Sequence, residues 1–473
     1  MARLLALLAL ALGTAARYQE PLSFEETEQL SKLRGAIRNV VVLVQENLSF
    51  DHFAGGLTYN SSIDGLVNRK YCNPANVSAP DTSRQVCAAN TAQNVAADDP
   101  NHSISGINMQ LFGSYHPAAL AESSMDGFIT EQRVSYRLER LENQQELDRL
   151  GRPEGTHDET RGMSPEMVDH LERERAAEVI DYFKPENIPV FNAIAENYVL
   201  FDRWFAAVPG PTNPNRAYLT SGTSYGHGTN DDAFLRSAMP QRSIFQQLSE
   251  KGISWTNYEN STKSNPPFLP DAMFYEWTAK SITSKTSVKP IDTFYQDAAN
   301  GELPQFTWIN PECCTYTSMH PPSPINMGEN FIKSVYEAVR NSPQWNETLF
   351  ILTWDEHGGF ADHVSPPTQV PAGDSLTYTE RAADGGDYTF HFDRLGVRVP
   401  TVLISPWVGK GLIQNKPDGD NDFTHTSILK VLSELWDLDI LTPRVEWSPS
   451  FKHLISSEYR DDTPKQLPTA AEF

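Results

Sequence analysis

Two short apolar runs in this chain end in the same chemistry. Leu349-Phe350-Ile351-Leu352 passes through Thr353-Trp354 into Asp355-Glu356-His357-Gly358-Gly359-Phe360-Ala361-Asp362-His363, and the run from Asn39 to Val44 passes into Gln45-Glu46-Asn47-Leu48-Ser49-Phe50-Asp51. A buried-type strand that releases carboxylates into a turn is how an α/β sheet presents metal or acid/base groups at the carboxyl ends of its strands. The first run alone also reads as an acidic hairpin turn. Two runs with one ending favour a single hard-cation site built from Glu46, Asn47, Asp355 and Glu356. Carboxylate and amide oxygens suit Ca, Mg or Mn, and Zn is compatible, so one divalent metal ion is expected without its identity.

Between the two runs lies Pro209-Gly210-Pro211-Thr212-Asn213-Pro214-Asn215-Arg216. Proline and glycine force a turn, and the following residues can begin a helix. The Thr212 hydroxyl would then sit among unpaired backbone donors at a helix N-terminus, where phosphate oxygens bind. Thr212 is the candidate nucleophile, with Asn215 and Arg216 as substrate contacts. Taken alone the motif also reads as an ordinary threonine cap. Five histidines add to the pattern: His102, His320, His357, His363 and His425. Singly, each reads as a structural histidine. Beside a metal and a hydroxyl, one or two would bind phosphoryl oxygens or protonate a leaving alkoxide.

The elements that must position these groups alternate. Strands are expected at Ile253 to Tyr258, Gln305 to Ile309, Leu349 to Trp354 and Val399 to Ile404, and helices at Gly328 to Arg340 and Ser427 to Trp436. This order implies the α/β class, a mainly parallel sheet covered on both faces. The stretch from Asn60 to Pro100 reads as a polar loop excursion. Residues 131–175, crowded with charge and interrupted by Gly151-Arg152-Pro153, read as a charged surface helix pair or flexible insertion.

Met1-Ala2-Arg3, the apolar stretch Leu4 to Leu12 and the small-residue exit at Gly13 to Ala16 have the form of a secretory signal, leaving 17–473 as one domain. No later segment approaches the roughly 20 apolar residues of a membrane span. Secretion agrees with acceptor patterns for N-linked sugar at Asn60, Asn76, Asn260 and Asn346. Asn47 and Asn101 match the pattern too, but fall in the proposed site. Of four cysteines, Cys72 and Cys87 are expected to bridge a polar loop, and the pairing of Cys313 and Cys314 stays open. A formal charge of −23 argues against nucleic acid as a partner and against strong attraction to anionic membranes.

Together, Glu-Asn-x-Ser-Phe-Asp at 46–51, Gly-Pro-Thr-x-Pro-Asn-Arg at 210–216, His-Pro-Pro at 320–322, Asp-Glu-His-Gly-Gly-Phe-x-Asp-His-Val at 355–364 and Arg-Val-Pro-Thr-Val-Leu-Ile-Ser-Pro-Trp at 398–407 resemble the phosphoesterase family of phospholipases C and acid phosphatases. The cysteine pair before His320 and the glycosylation patterns look like its fungal secreted branch. The resemblance implies an alkaline-phosphatase-like core, one metal held by residues matching Glu46, Asn47, Asp355 and Glu356, and a phosphorylated nucleophile matching Thr212. It places His102 and His320 around the phosphate. His357 is expected beside the substrate, and His363 and His425 match motif positions without a role. The expected protein is a secreted metal-dependent hydrolase of phosphoric esters. Phospholipase C is the leading reading, with a phospholipid or small phosphoester as substrate. An acid phosphatase and an inactive cation-binding glycoprotein are the rivals.

Overall fold

The computed structural model describes residues 22–149, 163–260, 269–312, 317–417 and 419–473. The expected leader, the Gly151-Arg152-Pro153 interruption and Cys313-Cys314 lie outside them. The central sheet has eight strands: β1 Asn39–Gln45, β2 Val199–Phe201, β3 Trp255–Glu259, β4 Val288–Pro290, β5 Phe306–Asn310, β6 Thr348–Trp354, β7 Thr401–Ile404 and β8 Leu412–Gln414. Their order is β8-β2-β7-β6-β1-β5-β3-β4. All neighbours pair in parallel except β7, which runs antiparallel to both β2 and β6. The α/β, mainly parallel architecture read from the sequence is therefore the one observed.

Strands β1 and β6 are buried at every position, which is why they read as continuous Val, Leu and Ile runs rather than alternating ones. They lie side by side in a register that pairs Asn39 with Thr348 and Gln45 with Trp354. Because both run the same way and stop at the same level, Glu46-Asn47 and Asp355-Glu356 leave the sheet together. Helices cover both faces. Ile325–Asn341 buries Ile325, Ile332, Val335, Tyr336 and Val339, a spacing that forms one helical stripe. Thr426–Trp436 does the same with Ile428, Leu429, Leu432 and Leu435.

The charged region forms two helices, Phe128–Arg149 and Pro165–Ala177, joined by ion pairs from Arg133 and Arg137 to Glu172. The solvated-face reading needs one correction. Glu131 is buried, accepting from Asn101 Nδ2 at 2.6 Å and from Tyr115 Oη at 2.6 Å. Burial pushes its carboxyl up to about 7 despite those donors. Cys72 and Cys87 face each other across the short antiparallel pair Cys72–Pro74 and Gln85–Cys87, and are joined as a disulfide. With a sequence separation of 15, breaking it as Cys72→Ser is expected to cost roughly 3 kcal/mol in chemical denaturation.

His52 supplies a second stability prediction. Its ring stacks on Phe360 at 4.0 Å, its Nδ1–H donates to Asp181 O at 2.6 Å, and burial pulls its pKa down to about 4. A neutral imidazole in the fold must charge on unfolding. The stability it contributes is therefore present above the unfolded value near 6.5 and lost as pH falls through 4. Between pH 7 and 4, wild type should lose up to about 3 kcal/mol more than His52→Gln in denaturant titrations. Parallel pH curves for the two would show that the ring is charged in the fold.

Candidate active site

Backbone geometry at the ends of β1 and β6 is specific. Asn47 takes a left-handed φ of 61°, a conformation that asparagine tolerates better than most residues. Its N–H donates to Asp355 Oδ1 at 3.2 Å, and the Glu356 N–H donates to the same oxygen at 2.8 Å. Gly358 must be glycine: it has φ 64°, and a Cβ there would stand 2.2 Å from Asn47 O. The chain thus closes tightly around the two acidic pairs.

Thr212 opens the helix Thr212–Ser221, with Pro211 at the N-cap. It lines a cleft shared with Glu46, Asn213, Arg216, Asp271 and Asn310. The expected row of free donors is not there. Asn213 N–H donates to Asn230 Oδ1 at 2.8 Å, Pro214 has no N–H, and Asn215 N–H turns back to Pro211 O. Of these first four residues only Thr212 keeps a main-chain donor without a partner among the described residues.

Arg216 and Asn215 also differ from expectation. Arg216 spans three buried carboxylates, with Nε to Asp355 Oδ2 at 3.0 Å, Nη2 to Glu46 Oε1 at 3.2 Å and Nη1 to Asp271 Oδ2 at 3.3 Å. Its fork is occupied, so it acts as the counter-ion of the acidic cluster rather than a substrate contact. Asn215 donates to Val208 O, Gly210 O and Pro211 O and accepts from Val208 N–H, which locks the Pro-Gly-Pro turn. His357 sits behind the site, its Nε2 3.0 Å from Gln110 Oε1 and its Nδ1 3.5 Å from Glu356 Oε2. Gln110 Nε2 donates to Asn101 O, so its Oε1 must accept and His357 carries hydrogen on Nε2.

His102 and His320 do converge on the acidic pairs. Each ring holds a backbone carbonyl through Nδ1, His102 at Pro100 O and His320 at Pro321 O, which aims Nε2 outward. His102 Nε2 lies 3.8 Å from Glu356 Oε1, and His320 Nε2 lies 3.9 Å from Asp99 Oδ2. Asp99, His102 and His320 bring one ligand atom each within 4.8 Å of one another. Burial alone would lower His102, yet the charges of Glu356 and Asp99 outweigh it and raise its pKa. The two unassigned histidines are structural. His425 accepts from Trp204 Nε1 and donates from Nε2 to Asp355 O at 2.6 Å, holding the end of β6. His363 bridges Asp51 and Asp64 beside Arg398, and those carboxylates raise it to about 9 against the pull of burial.

Glu46 Oε2, Asn47 Oδ1 and Glu356 Oε1 are buried with no hydrogen-bond partner among the described residues. Three orphaned hard oxygens at one strand edge fit a divalent cation, the group that carboxylate and amide oxygens bind. Burial also raises Asp355 well above the usual carboxylate range; Arg216 opposes this while the Glu46 and Glu356 charges add to it. Such crowding calls for positive charge beyond Arg216. Sequence reading missed Asp99, Gln110, Glu131, Asn230 and Asp271. Asp99 stands three residues before His102, but the others carry no local signal.

The Phosphoesterase family model matches residues 37–439. The chain belongs to the phosphoesterase family. A non-specific phospholipase C1 from Arabidopsis thaliana is 34% identical over 468 residues, covering 95% of this chain and 77% of the relative. A phospholipase C B from Mycobacterium tuberculosis is 24% identical over 436 residues, covering 84% and 72%. Among solved structures, a protein in the alkaline phosphatase superfamily from Vibrio parahaemolyticus aligns with a TM-score of 0.33 at 12% identity, over 55% of this chain and 63% of that one. As a phosphoesterase the protein is a hydrolase acting on phosphoric ester bonds.

Proposed function

We propose that this phosphoesterase is a secreted, metal-dependent phospholipase C working through a phosphothreonine at Thr212. The observation that carries the reading is the cleft in which Thr212 and Glu46 face one space beside the orphaned oxygens of Asn47 and Glu356. The names of the plant and mycobacterial relatives supply the lipid substrate class. Glu46, Asn47, Asp355 and Glu356 would hold a divalent cation, which when bound neutralises phosphoryl charge and lowers the pKa of a hydroxyl.

The chain's own residues do the rest. The Thr212 hydroxyl gives up its proton to solvent as its oxygen attacks phosphorus, the bond from phosphorus to the diacylglycerol oxygen breaks, and a proton from His102 or His320 completes the leaving alcohol; a proton from the water of the second step restores the hydroxyl. Water then attacks the phosphothreonine, releasing the phosphorylated head group and restoring the Thr212 hydroxyl. Arg216 keeps Glu46 and Asp355 paired throughout. The test is a substrate panel of a phosphomonoester, a phosphocholine ester and intact phospholipid. Release of diacylglycerol from phospholipid supports the reading, and turnover of the monoester alone replaces it with an acid phosphatase.

Secretion carries its own prediction. Asn76 and Asn346 are exposed, whereas Asn47 is fully buried and Asn101 Nδ2 is held by Glu131. Glycopeptide mapping of protein exported from a eukaryotic host should find sugar at Asn76 and Asn346 and none at Asn47 or Asn101. Unmodified Asn76 and Asn346 in that exported protein would count against the proposal.

A further inference from the structure

Four arginines are buried among the described residues, and three of them have a partner at Nε. Arg216 and Arg398 each meet carboxylates, and Arg444 is bonded by the backbone carbonyls of Pro371, Ala207 and Phe392. Arg394 is different. Only 6% of its surface is exposed, yet among the described residues it forms no ion pair. Its guanidinium donates from Nη2 to Asn108 Oδ1 and from Nη1 to Tyr388 Oη at 3.2 Å, both neutral acceptors. Nε has no partner among the described residues. The guanidinium carbon rests over Phe112 at 5.3 Å and Phe390 at 5.1 Å. Burying a cation away from ion-pair distance of an anion is costly, and here burial lowers even the arginine pKa although Tyr388 and the more distant Asp393 oppose it.

This arginine lines a cavity of about 200 Å³. Phe112, Pro117 and Ala118 give it an apolar wall, and the exposed Thr368, Thr389 and His391 give it a polar lip. Asp393 is the one carboxylate among the described lining residues, and it makes no ion pair with Arg394. The cavity lies at the C-terminal end of helix Ile104–Phe112, whose N-terminal end follows His102. That helix places it about 13 Å along the axis from the catalytic histidine, so it is a separate site.

We propose that Arg394 is the base of a second, non-catalytic binding site for a small phosphate-type oxyanion, either free phosphate or a short phosphomonoester. A planar fork with unspent N–H groups matches such oxygens, and the apolar wall accommodates a short organic group beside them. The volume equals roughly six waters, enough for phosphocholine and too little for a diacyl lipid. The site rests on the uncompensated arginine and its cavity, independently of how Thr212 works.

The test is equilibrium dialysis of the full, metal-loaded chain against inorganic phosphate, phosphocholine and acetate, in wild type, Thr212→Ala and Arg394→Met. Methionine keeps the stem between Phe112 and Phe390 and removes the fork. Thr212→Ala should keep the site, and Arg394→Met should weaken it roughly tenfold or more, since a charge-assisted bond is lost. Stronger binding of phosphocholine than of phosphate identifies the monoester as ligand; the reverse identifies the free ion. If Arg394→Met does not fold, Thr389→Val with His391→Ala at the exposed lip should weaken the same site. Phosphate and phosphocholine binding unchanged in the folded variants, or acetate binding as tightly as both, overturns the proposal.

Discussion

Thr212→Ala is expected to lose three to six orders of magnitude, roughly, in turnover while leaving the fold almost untouched. The geometry separates the two effects. A capping threonine would cost about 1 kcal/mol on truncation, but the N-cap here is Pro211 and no side chain caps the helix. Thr212 is itself helical, where alanine is the better residue, so denaturation midpoints should barely move. Serine keeps the hydroxyl and should retain measurable turnover. Acid-quenched wild type should carry phosphate on the peptide spanning Pro211 to Arg216. Normal turnover by the alanine variant, or phosphate trapped on a histidine instead, removes Thr212 from the chemistry.

How much of this could be read in advance depends on where each group sits. The carboxylate pairs were legible because β1 and β6 are central parallel strands. Burial on both faces writes itself into sequence as an unbroken apolar run, and whatever follows the run must lie at the sheet's edge. Adjacency of the two strands was a guess that the register of Gln45 with Trp354 makes real. The reversal of β7 was not legible. Thr401–Ile404 is as apolar as its neighbours, and direction depends on the connection rather than the strand. Asp271 escaped for a related reason: it is one acid opening the short 3-10 turn Asp271–Phe274, made part of the site because Arg216 and Trp308 Nε1 reach it from other elements. Arg216 and Asn215 were misread because a motif fixes residue types, not directions. The three carboxylates and the loop carbonyls consume donors that the motif left free. Glu131 was lost in a charge-rich window, whose average hides two acids turned inward, Glu131 and Glu172.

On the proposed metal site, chelation is expected to weaken the fold as well as stop the reaction, and the structure ranks the substitutions that should do the same. A chelator would leave Glu46 Oε2, Asn47 Oδ1 and Glu356 Oε1 buried without partners, and an unsatisfied buried group costs about 1–3 kcal/mol. Melting temperature should therefore drop on chelation and recover on adding back a divalent ion. Glu46→Gln keeps shape but removes an anionic ligand. By direct calorimetric titration its metal affinity should fall by more than the tenfold to hundredfold, roughly, that an outer neighbour costs. Asp271→Asn is the internal comparison. It lines the same cleft, but its contact with the acidic pairs runs through Arg216 at 3.3 Å, so its loss should stay within that outer range. Equal losses for the two would mean that Arg216 and its carboxylates act as one electrostatic unit without a ligand role for Glu46. No loss in either, with full activity after chelation, would leave the acidic strand ends without a metal to bind.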